Sequence, residues 1–166
     1  METGAPPVFL CRQLTILDDG MRDKEMNHRV MASIKGKNTK AEVLFGRMLY
    51  GANIRGFRKN CPGVFGHPDF CFKGLKIAIF LDGDFWHGFD LARAEKDLVT
   101  NREFWLEKIT RNMERDDLTN KVLKREGYLV LRFWESEFFA DPGKCLAITK
   151  QAISSRKMAE SFRRLG

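Results

Sequence analysis

Acidic residues and a histidine are concentrated in one short stretch of this chain. Asp69 stands at the start of an apolar run, and Asp82 stands at the end of the next one. Asp84 and His87 follow directly. Carboxylates at strand ends can converge on a divalent cation, because Mg²⁺ takes oxygen ligands and binds one or two carboxylates together with substrate phosphate. The stretch therefore predicts a metal-dependent site, although each residue taken alone is more typical of a turn or a structural position.

A β-hairpin is predicted to position these carboxylates. Phe70–Phe72 and residues 75–81 are rich in strand-forming side chains, and the dipeptide Lys73-Gly74 between them is typical of a turn. Asp69 would then lie at the mouth of the first strand and Asp82 at the end of the second. The hairpin would thus bring the two carboxylates to the same part of the fold.

A helix is predicted to begin after Thr39 and to run to about Tyr50. Thr39 and Glu42 have the spacing of a capping box, in which each side chain accepts a backbone hydrogen bond from the other residue. Glu42 is therefore either a capping residue or a carboxylate that holds a water near the metal. The predicted apolar stripe of this helix consists of Val43, Leu44, Met48 and Leu49.

The remaining elements predict a single α/β domain. A short strand is expected at 54–58, a long helix at 101–125 that Gly127 ends, a strand at 128–134 and a basic amphipathic helix at 143–164. This order favours a central mixed β-sheet flanked by helices. Residues 1–25 are predicted to form an N-terminal arm, residues 26–140 the domain itself, and residues 141–166 a C-terminal helix of the same domain.

The long helix carries apolar and charged residues that are predicted to lie on opposite faces. The apolar set recurs at helical spacing and is predicted to be core: Phe104, Trp105, Ile109, Met113, Leu118, Val122 and Leu123. The other face carries Lys108, Arg111, Asn112, Arg115 and Asp116. Arg111 and Arg115 lie one turn apart and could grip a phosphate backbone, or the face is only a solvated charged surface.

The overall charge favours a polyanionic partner. The chain has a formal net charge of +7 and a pI near 9.4, which points first to nucleic acid. Lys35 and Lys37 lie in a basic segment that could contact phosphates or serve as a linker. The cysteines lack metal-binding spacing and predict reduced thiols rather than disulfides. No apolar run is long enough to span a bilayer and no signal peptide is evident, so a cytoplasmic protein is expected.

Six segments of the chain match one known family in order. They are MASIKGKNTKAE (31–42), FRKNCPG (57–63), GHPDF (66–70), AIFLDGDFWH (78–87), EFWLEKITRNMERD (103–116) and GYLVLRFWE (127–135). In these segments the chain resembles the very short patch repair (Vsr) endonucleases, which nick DNA beside T:G mismatches and belong to the PD-(D/E)XK nuclease superfamily. The resemblance implies a restriction-endonuclease-like fold.

The same resemblance implies a role for each residue of the metal site. Asp69 would be the principal Mg²⁺ ligand and the backbone carbonyl of Leu81 a second, with waters and DNA phosphate oxygens completing the coordination. His87 would act as general base or orient the attacking water. Glu42 matches a helix carboxylate near the metal. Asp116 matches a carboxylate that contacts the metal ligands without binding the metal itself.

The resemblance also implies how the mismatch is recognised and by which partners. Phe85 and Trp86 match an aromatic wedge that enters the major groove, and Met31 matches a residue that intercalates from the minor-groove side. The implied substrate is double-stranded DNA with a T:G mismatch. The implied partners are MutL- and MutS-type mismatch repair proteins and a cytosine methyltransferase system, and a monomer acting at the bacterial nucleoid is expected.

Two departures from the best-known member affect the expected site. Where that member has cysteine and histidine ligands of a structural zinc, this chain has Asp84, Phe89, about Leu91, and Ser136, so the zinc is predicted absent. Where it has a catalytic histidine, this chain has Asp82, which becomes a candidate direct metal ligand. Asp82 would then lie near Asp116, and the two carboxylates would repel each other unless a metal or a proton intervenes.

Three functions are compatible with these residues. The first is a Mg²⁺-dependent mismatch nicking endonuclease. The second is a restriction-like or structure-specific nuclease on the same fold. The third is a DNA-binding module that has lost catalysis, against which the presence of both Asp69 and His87 argues. Substrate preference distinguishes the first function from the second. Metal-dependent cutting would exclude the third.

Overall fold

The computed structural model describes residues 38–84 and 102–165, apart from the side chains of Arg102, Trp105 and Leu165. The described residues belong to one compact unit, Gly36–Gly166. The predicted arm at residues 1–25 and its boundary with the domain lie outside the described residues. In the part of the chain that the structure describes, no helix is long and apolar enough to cross a membrane.

A mixed sheet with helices on both faces forms the domain, as the sequence predicts. The elements are α1 (Lys40–Gly51), β1 (Arg58–Lys59), β2 (Phe70–Phe72), β3 (Ile77–Asp82), α2 (Arg102–Arg125), β4 (Leu129–Trp134), α3 (Glu135–Ala140) and α4 (Pro142–Leu165). The strands lie in the order β1-β2-β3-β4. β2 runs antiparallel to both β1 and β3, and β4 runs parallel to β3. The α/β class is therefore confirmed.

Alternate residues of the central strand pack on opposite faces of the sheet. Ile77 and Ile79 face the larger core, which they share with side chains of α1, α3 and α4. Ala78 and Phe80 face the smaller core on the other side, together with Leu123 of α2. Asp82 follows Phe80 on this second face, so α2 is the helix that covers the predicted site.

The predicted hairpin is confirmed, but its turn is longer than the predicted dipeptide. Phe72 pairs with Ile77, and four residues connect the strands. The Leu75 amide donates to the Phe72 carbonyl at 3.2 Å, and the Lys76 amide donates to the Lys73 carbonyl at 3.3 Å. Lys76 adopts a φ of 52°, in the left-handed region. The second strand consequently starts two residues later than predicted.

The first helix begins at the predicted capping box. The Thr39 side chain accepts the Glu42 amide at 3.2 Å, and the Glu42 side chain accepts the Thr39 amide at 3.2 Å. The predicted apolar stripe is partly wrong, because Val43 and Leu44 are more than one-third exposed. The buried stripe instead contains Ala41, Phe45 and Leu49, which are spaced four residues apart and fully buried.

The long helix presents a different face to the sheet from the one predicted. Phe104 and Leu118 are 57% and 52% exposed, so their assignment to the core is wrong. Met113 is also exposed and Val122 is only half-buried. The inward stripe is spaced by three or four residues and is mixed in character: Ile109, Asn112, Asp116, Thr119 and Leu123. This stripe turns polar side chains toward the ends of the strands.

Two cysteines are joined, contrary to the prediction of reduced thiols. A disulfide links Cys61 to Cys71, with 6.4 Å between their Cα atoms. Pairing of Arg58 with Cys71 brings the segment after β1 alongside β2, which sequence spacing does not reveal. Cys145 is a buried free thiol, and its burial, with the nearby charges of Glu137 and Asp141, raises its pKa. This thiol therefore stays protonated at neutral pH.

Candidate active site at the strand ends

The Asp69 carboxylate lies against the end of β3. The preceding Pro68 is fully buried, and the Asp69 carbonyl accepts the Asn60 amide at 2.9 Å, which fixes the start of β2. Asp69 Oδ2 accepts the backbone N–H of Leu81 at 2.8 Å. The structure thus makes Asp69 and Leu81 neighbours, and these are the two residues that the resemblance implies as metal ligands, Leu81 through its backbone carbonyl. Asp69 remains partly exposed.

Asp82 and Asp116 share one cation, Arg132 of β4. Arg132 Nε lies 2.6 Å from Asp82 Oδ2, and Nη2 lies 3.1 Å from Asp82 Oδ1, so the pair is bidentate. Nη2 also lies 2.9 Å from Asp116 Oδ1. The sequence predicts that a metal or a proton has to separate the two carboxylates. That prediction is corrected, because an arginine side chain lies between them.

The environment of Arg132 keeps it charged. The parallel register pairs Arg132 with Phe80, and the guanidinium carbon lies 4.6 Å from the centre of the Phe80 ring. Burial alone would lower the pKa of Arg132, but the charge of Asp82 and hydrogen bonds to Asp82 and Asp116 outweigh burial and raise it. Arg132 is therefore a permanent positive charge within a cluster of carboxylates.

The Asp69 carboxylate is an oxygen donor of the kind that Mg²⁺ binds. Within residues 38–84 and 102–165, no group of three or more His, Cys, Asp or Glu side chains is placed to hold a metal. Mg²⁺ does not need such a group, since it keeps several waters and binds through one or two carboxylates and substrate phosphates. Asp69 beside the end of β3 would hold the ion.

Glu42 is used as a cap on α1. Its Oε2 accepts the Asn38 amide at 2.9 Å, and its Oε1 accepts the Thr39 amide at 3.2 Å. The side chain is 6% exposed, so both oxygens have replaced water with these backbone donors. Of the two roles left open by the sequence, the geometry favours capping.

Replacing Glu42 separates capping from catalysis. We expect Glu42→Ala to lower the free energy of unfolding by about 1 kcal/mol, because a capping residue is lost. Thr39→Ala removes the other half of the same box and is the matched control. If Glu42 only caps α1, the two variants lose similar stability in urea unfolding and nick DNA at equal rates well below their melting temperatures. A nicking rate that falls only in Glu42→Ala would instead assign Glu42 to the reaction.

The predicted DNA-binding residues of α2 differ in exposure. Arg111 and Arg115 are exposed, and Arg111 pairs with Glu107 one turn earlier. Asn112 is half-buried on the inward stripe, as Asp116 is, whereas the two arginines are exposed. The other predicted site residues lie outside the described residues: Met31, Lys35, Lys37, Phe85, Trp86 and His87.

Two of the positions from which the sequence predicts the absence of zinc contact each other directly. Asp84 Oδ1 accepts the Ser136 hydroxyl at 2.5 Å, and Asp84 Oδ2 accepts the Ser136 amide at 3.1 Å. This pair ties the segment after β3 to the start of α3. The predicted absence of zinc remains a prediction.

Known proteins similar to this chain identify its family. A family model described as DNA mismatch endonuclease Vsr matches residues 19–93. The type II nicking enzyme V.NmeDIP of Neisseria meningitidis serogroup C is 38% identical over 138 residues, which cover 83% of this chain and 93% of that enzyme. The type II nicking enzyme V.HpaIIP of Haemophilus parainfluenzae is also 38% identical, over 83% of this chain and 97% of that enzyme. The chain belongs to the Vsr family.

A more distant relative carries the family name itself. The DNA mismatch endonuclease Vsr of Escherichia coli (strain K12) is 34% identical over 115 residues, or 69% of this chain and 72% of that enzyme. Membership of the Vsr family makes this protein a DNA endonuclease, as the sequence predicts. DNA is therefore its substrate.

Sequence reasoning missed Arg132 as a residue of the site. A usable signal was present, because Arg132 is the one charged residue of the strand LVLRFW. A charge in a largely apolar strand needs a partner. Asp82 ends the neighbouring strand two positions further along, on the same face.

Proposed function

We propose that this Vsr-family endonuclease nicks one strand of double-stranded DNA beside a T:G mismatch and needs Mg²⁺ to do so. The observation that carries the metal part is the contact between the Asp69 carboxylate and the Leu81 amide. It brings together the two residues that match the family's metal ligands. The mismatch part is supported by similarity to the E. coli protein named DNA mismatch endonuclease Vsr.

The chain's own residues supply the remaining requirements of phosphodiester hydrolysis. The reaction needs an in-line water, and Mg²⁺ when bound supplies positive charge for the phosphate oxygens. Asp69, with the Leu81 backbone carbonyl, would hold Mg²⁺, and His87 takes the proton from the attacking water or orients that water. The exposed Arg111 and Arg115 on α2 contact the DNA backbone and fix its register.

Recognition of the mismatch is assigned to aromatic insertion. Phe85 and Trp86 lie directly before His87 in the chain, so a wedge formed by them would enter the DNA close to the reacting phosphate. Inserting apolar side chains requires unstacking of bases, and unstacking costs least at a mismatched pair. Met31 would intercalate from the minor-groove side.

The decisive experiment is strand-specific nicking of labelled duplexes that contain one T:G pair or a T:A pair. Each duplex is incubated with Mg²⁺ and with EDTA. We expect cutting of the T strand only, in the mismatched duplex only and with Mg²⁺ only. Equal cutting of both duplexes would instead indicate a site-specific or general nuclease on this fold, and tight binding without cutting would indicate a DNA-binding module.

Trp86→Ala tests the wedge. We expect the T:G duplex to be nicked about 10- to 100-fold more slowly, because stacking of a base on an aromatic side chain contributes about 1–3 kcal/mol. A duplex whose mismatch is already melted, inside a short bubble, should lose much less. Phe139→Ala, which removes a half-exposed aromatic from α3, is the control. Unchanged nicking of both duplexes by Trp86→Ala would contradict the wedge.

A further inference from the structure

We propose that Arg132 is a positioning residue of the reaction: it holds Asp82 and Asp116 away from the metal and leaves Asp69 as the carboxylate that binds it. The proposal rests on the Mg²⁺-dependent nicking proposed above. It concerns two acidic residues that would otherwise compete for the ion. Asp82 is the stronger candidate to compete for the ion, because it directly follows Leu81 in the chain. Leu81 is itself one of the two residues matched to the metal ligands.

The contacts of Arg132 occupy both oxygens of Asp82. Nε and Nη2 meet Oδ2 and Oδ1 at 2.6 and 3.1 Å, the paired geometry that a guanidinium gives a carboxylate. The Asp82 side chain is only 7% exposed. To bind a metal ion directly, Asp82 would have to leave a partly buried bidentate partner, which is an unfavourable exchange.

Asp69 is placed differently on the same face of the sheet. The antiparallel register pairs Phe70 with Ile79, so Asp69 falls beside Phe80, on the face that carries Asp82. Asp69 Oδ2 accepts a neutral backbone amide, that of Leu81, and the residue is partly exposed. Asp69 is thus accessible where Asp82 is enclosed, although the two carboxylates lie at the same end of the sheet.

Arg132 also connects three elements around the site. It lies on β4 and binds Asp82 of β3 and Asp116 of α2. The Asp116 contact holds the polar stripe of α2 over the strand ends, where substrate must approach. Removal of Arg132 would therefore take a cationic partner from both carboxylates at this end of the sheet and loosen the helix that bears Arg111 and Arg115.

Metal binding without DNA tests the proposal directly. Mn²⁺ serves as the probe, and its dissociation constant is measured by electron paramagnetic resonance for the wild type, Asp69→Asn, Asp82→Asn and Arg132→Met. We expect Asp69→Asn to weaken Mn²⁺ binding at least tenfold. Asp82→Asn should leave the dissociation constant within about twofold. Arg132→Met should tighten it about tenfold, because a positive charge is lost and Asp82 becomes able to bind the ion.

Further variants show whether a change in Mn²⁺ binding comes from the position of Asp82, from the net charge of the protein or from misfolding of the variant. Lys121→Met removes an exposed positive charge of α2 and should leave Mn²⁺ binding unchanged. The double variant Arg132→Met/Asp82→Asn should return toward the wild-type dissociation constant. Arg132→Lys keeps the charge but not the paired geometry, and should give an intermediate value. If Arg132→Met does not fold, Arg132→Lys takes its place, and Mn²⁺ binding by Arg132→Lys equal to that of the wild type would overturn the proposal.

The outcomes for the two proposals are distinguishable. If Asp82→Asn weakens Mn²⁺ binding as much as Asp69→Asn does, Asp82 is a ligand and the role proposed for Arg132 is overturned. If Arg132→Met binds Mn²⁺ like the wild type, positioning is overturned as well. Failure of the proposed function shows elsewhere, as a wild-type protein that nicks no T:G duplex with Mg²⁺. In nicking assays the Arg132→Met variant should show a lower kcat. Its half-saturating Mg²⁺ concentration should also be lower, in line with the tighter Mn²⁺ binding.

Discussion

Replacing Asp69 by asparagine is expected to lower the nicking rate by about 10³-fold or more, while the protein still folds and binds DNA. The large effect follows from the loss of the charge that holds the metal at the reacting phosphate. Asparagine keeps the size of the side chain, and its carbonyl oxygen can still accept the Leu81 amide, which Asp69 accepts at 2.8 Å. DNA affinity, which depends on basic residues, should be unchanged or slightly tighter.

The measurement is single-turnover nicking of a labelled T:G duplex, with DNA binding followed separately by fluorescence anisotropy. Asp117→Asn is the matched control. It removes an exposed carboxylate of α2 that pairs with Lys121, away from the inward stripe, and it should nick at the wild-type rate. Wild-type turnover by Asp69→Asn would eliminate Asp69 as the metal ligand and with it the proposed mechanism.

Local sequence signals predict the elements that position Asp69. The capping box at Thr39 and Glu42 marks the start of α1 because both halves of the box lie within one turn. Gly127, with a φ of 82°, ends α2 as a residue without Cβ can. Strand-forming runs locate β2, β3 and β4. These signals depend on neighbouring residues, so a single sequence locates the elements, although β3 begins two residues later than predicted.

Tertiary contacts determine which face of α2 is buried and where α3 forms, and the sequence alone predicts neither. The inward stripe of α2 contains Asn112 and Asp116 because those residues face a polar site, whereas an apolar pattern places Phe104 and Leu118 inside. The short helix α3 was missed, since Glu135–Ala140 is too short to show a period. The larger core nevertheless depends on it through Phe138, which is fully buried.

Pairs that are distant in sequence are the other source of error. Asp82 and Arg132 lie fifty residues apart and meet only because β3 and β4 are parallel neighbours. Cys61 and Cys71 are joined because β1 folds back on β2. The lone charge in the strand LVLRFW marks Arg132 as a residue that needs a partner, but only the pairing of β3 with β4 shows that this partner is Asp82.

Replacing Phe45 by alanine is expected to lower the free energy of unfolding by about 3–5 kcal/mol, the range for a buried phenylalanine. Phe45 is fully buried on α1 at the centre of an aromatic cluster. Its ring centre lies 5.3 Å from that of Phe70, 6.1 Å from that of Phe133 and 5.7 Å from that of Phe138. Alanine would leave a cavity between α1, the sheet and α3, which close packing cannot refill.

Urea unfolding followed by circular dichroism measures this loss, and Phe162→Ala is the control. Phe162 is 69% exposed near the end of α4, so its removal should change the free energy of unfolding by no more than about 0.5 kcal/mol. Equal stability of the two variants would contradict the cluster. Phe70 directly follows Asp69, and its ring packs edge-on against Phe45. We therefore expect folded Phe45→Ala protein to nick more slowly than Phe162→Ala, because the cavity loosens the start of β2 that fixes the Asp69 carboxylate.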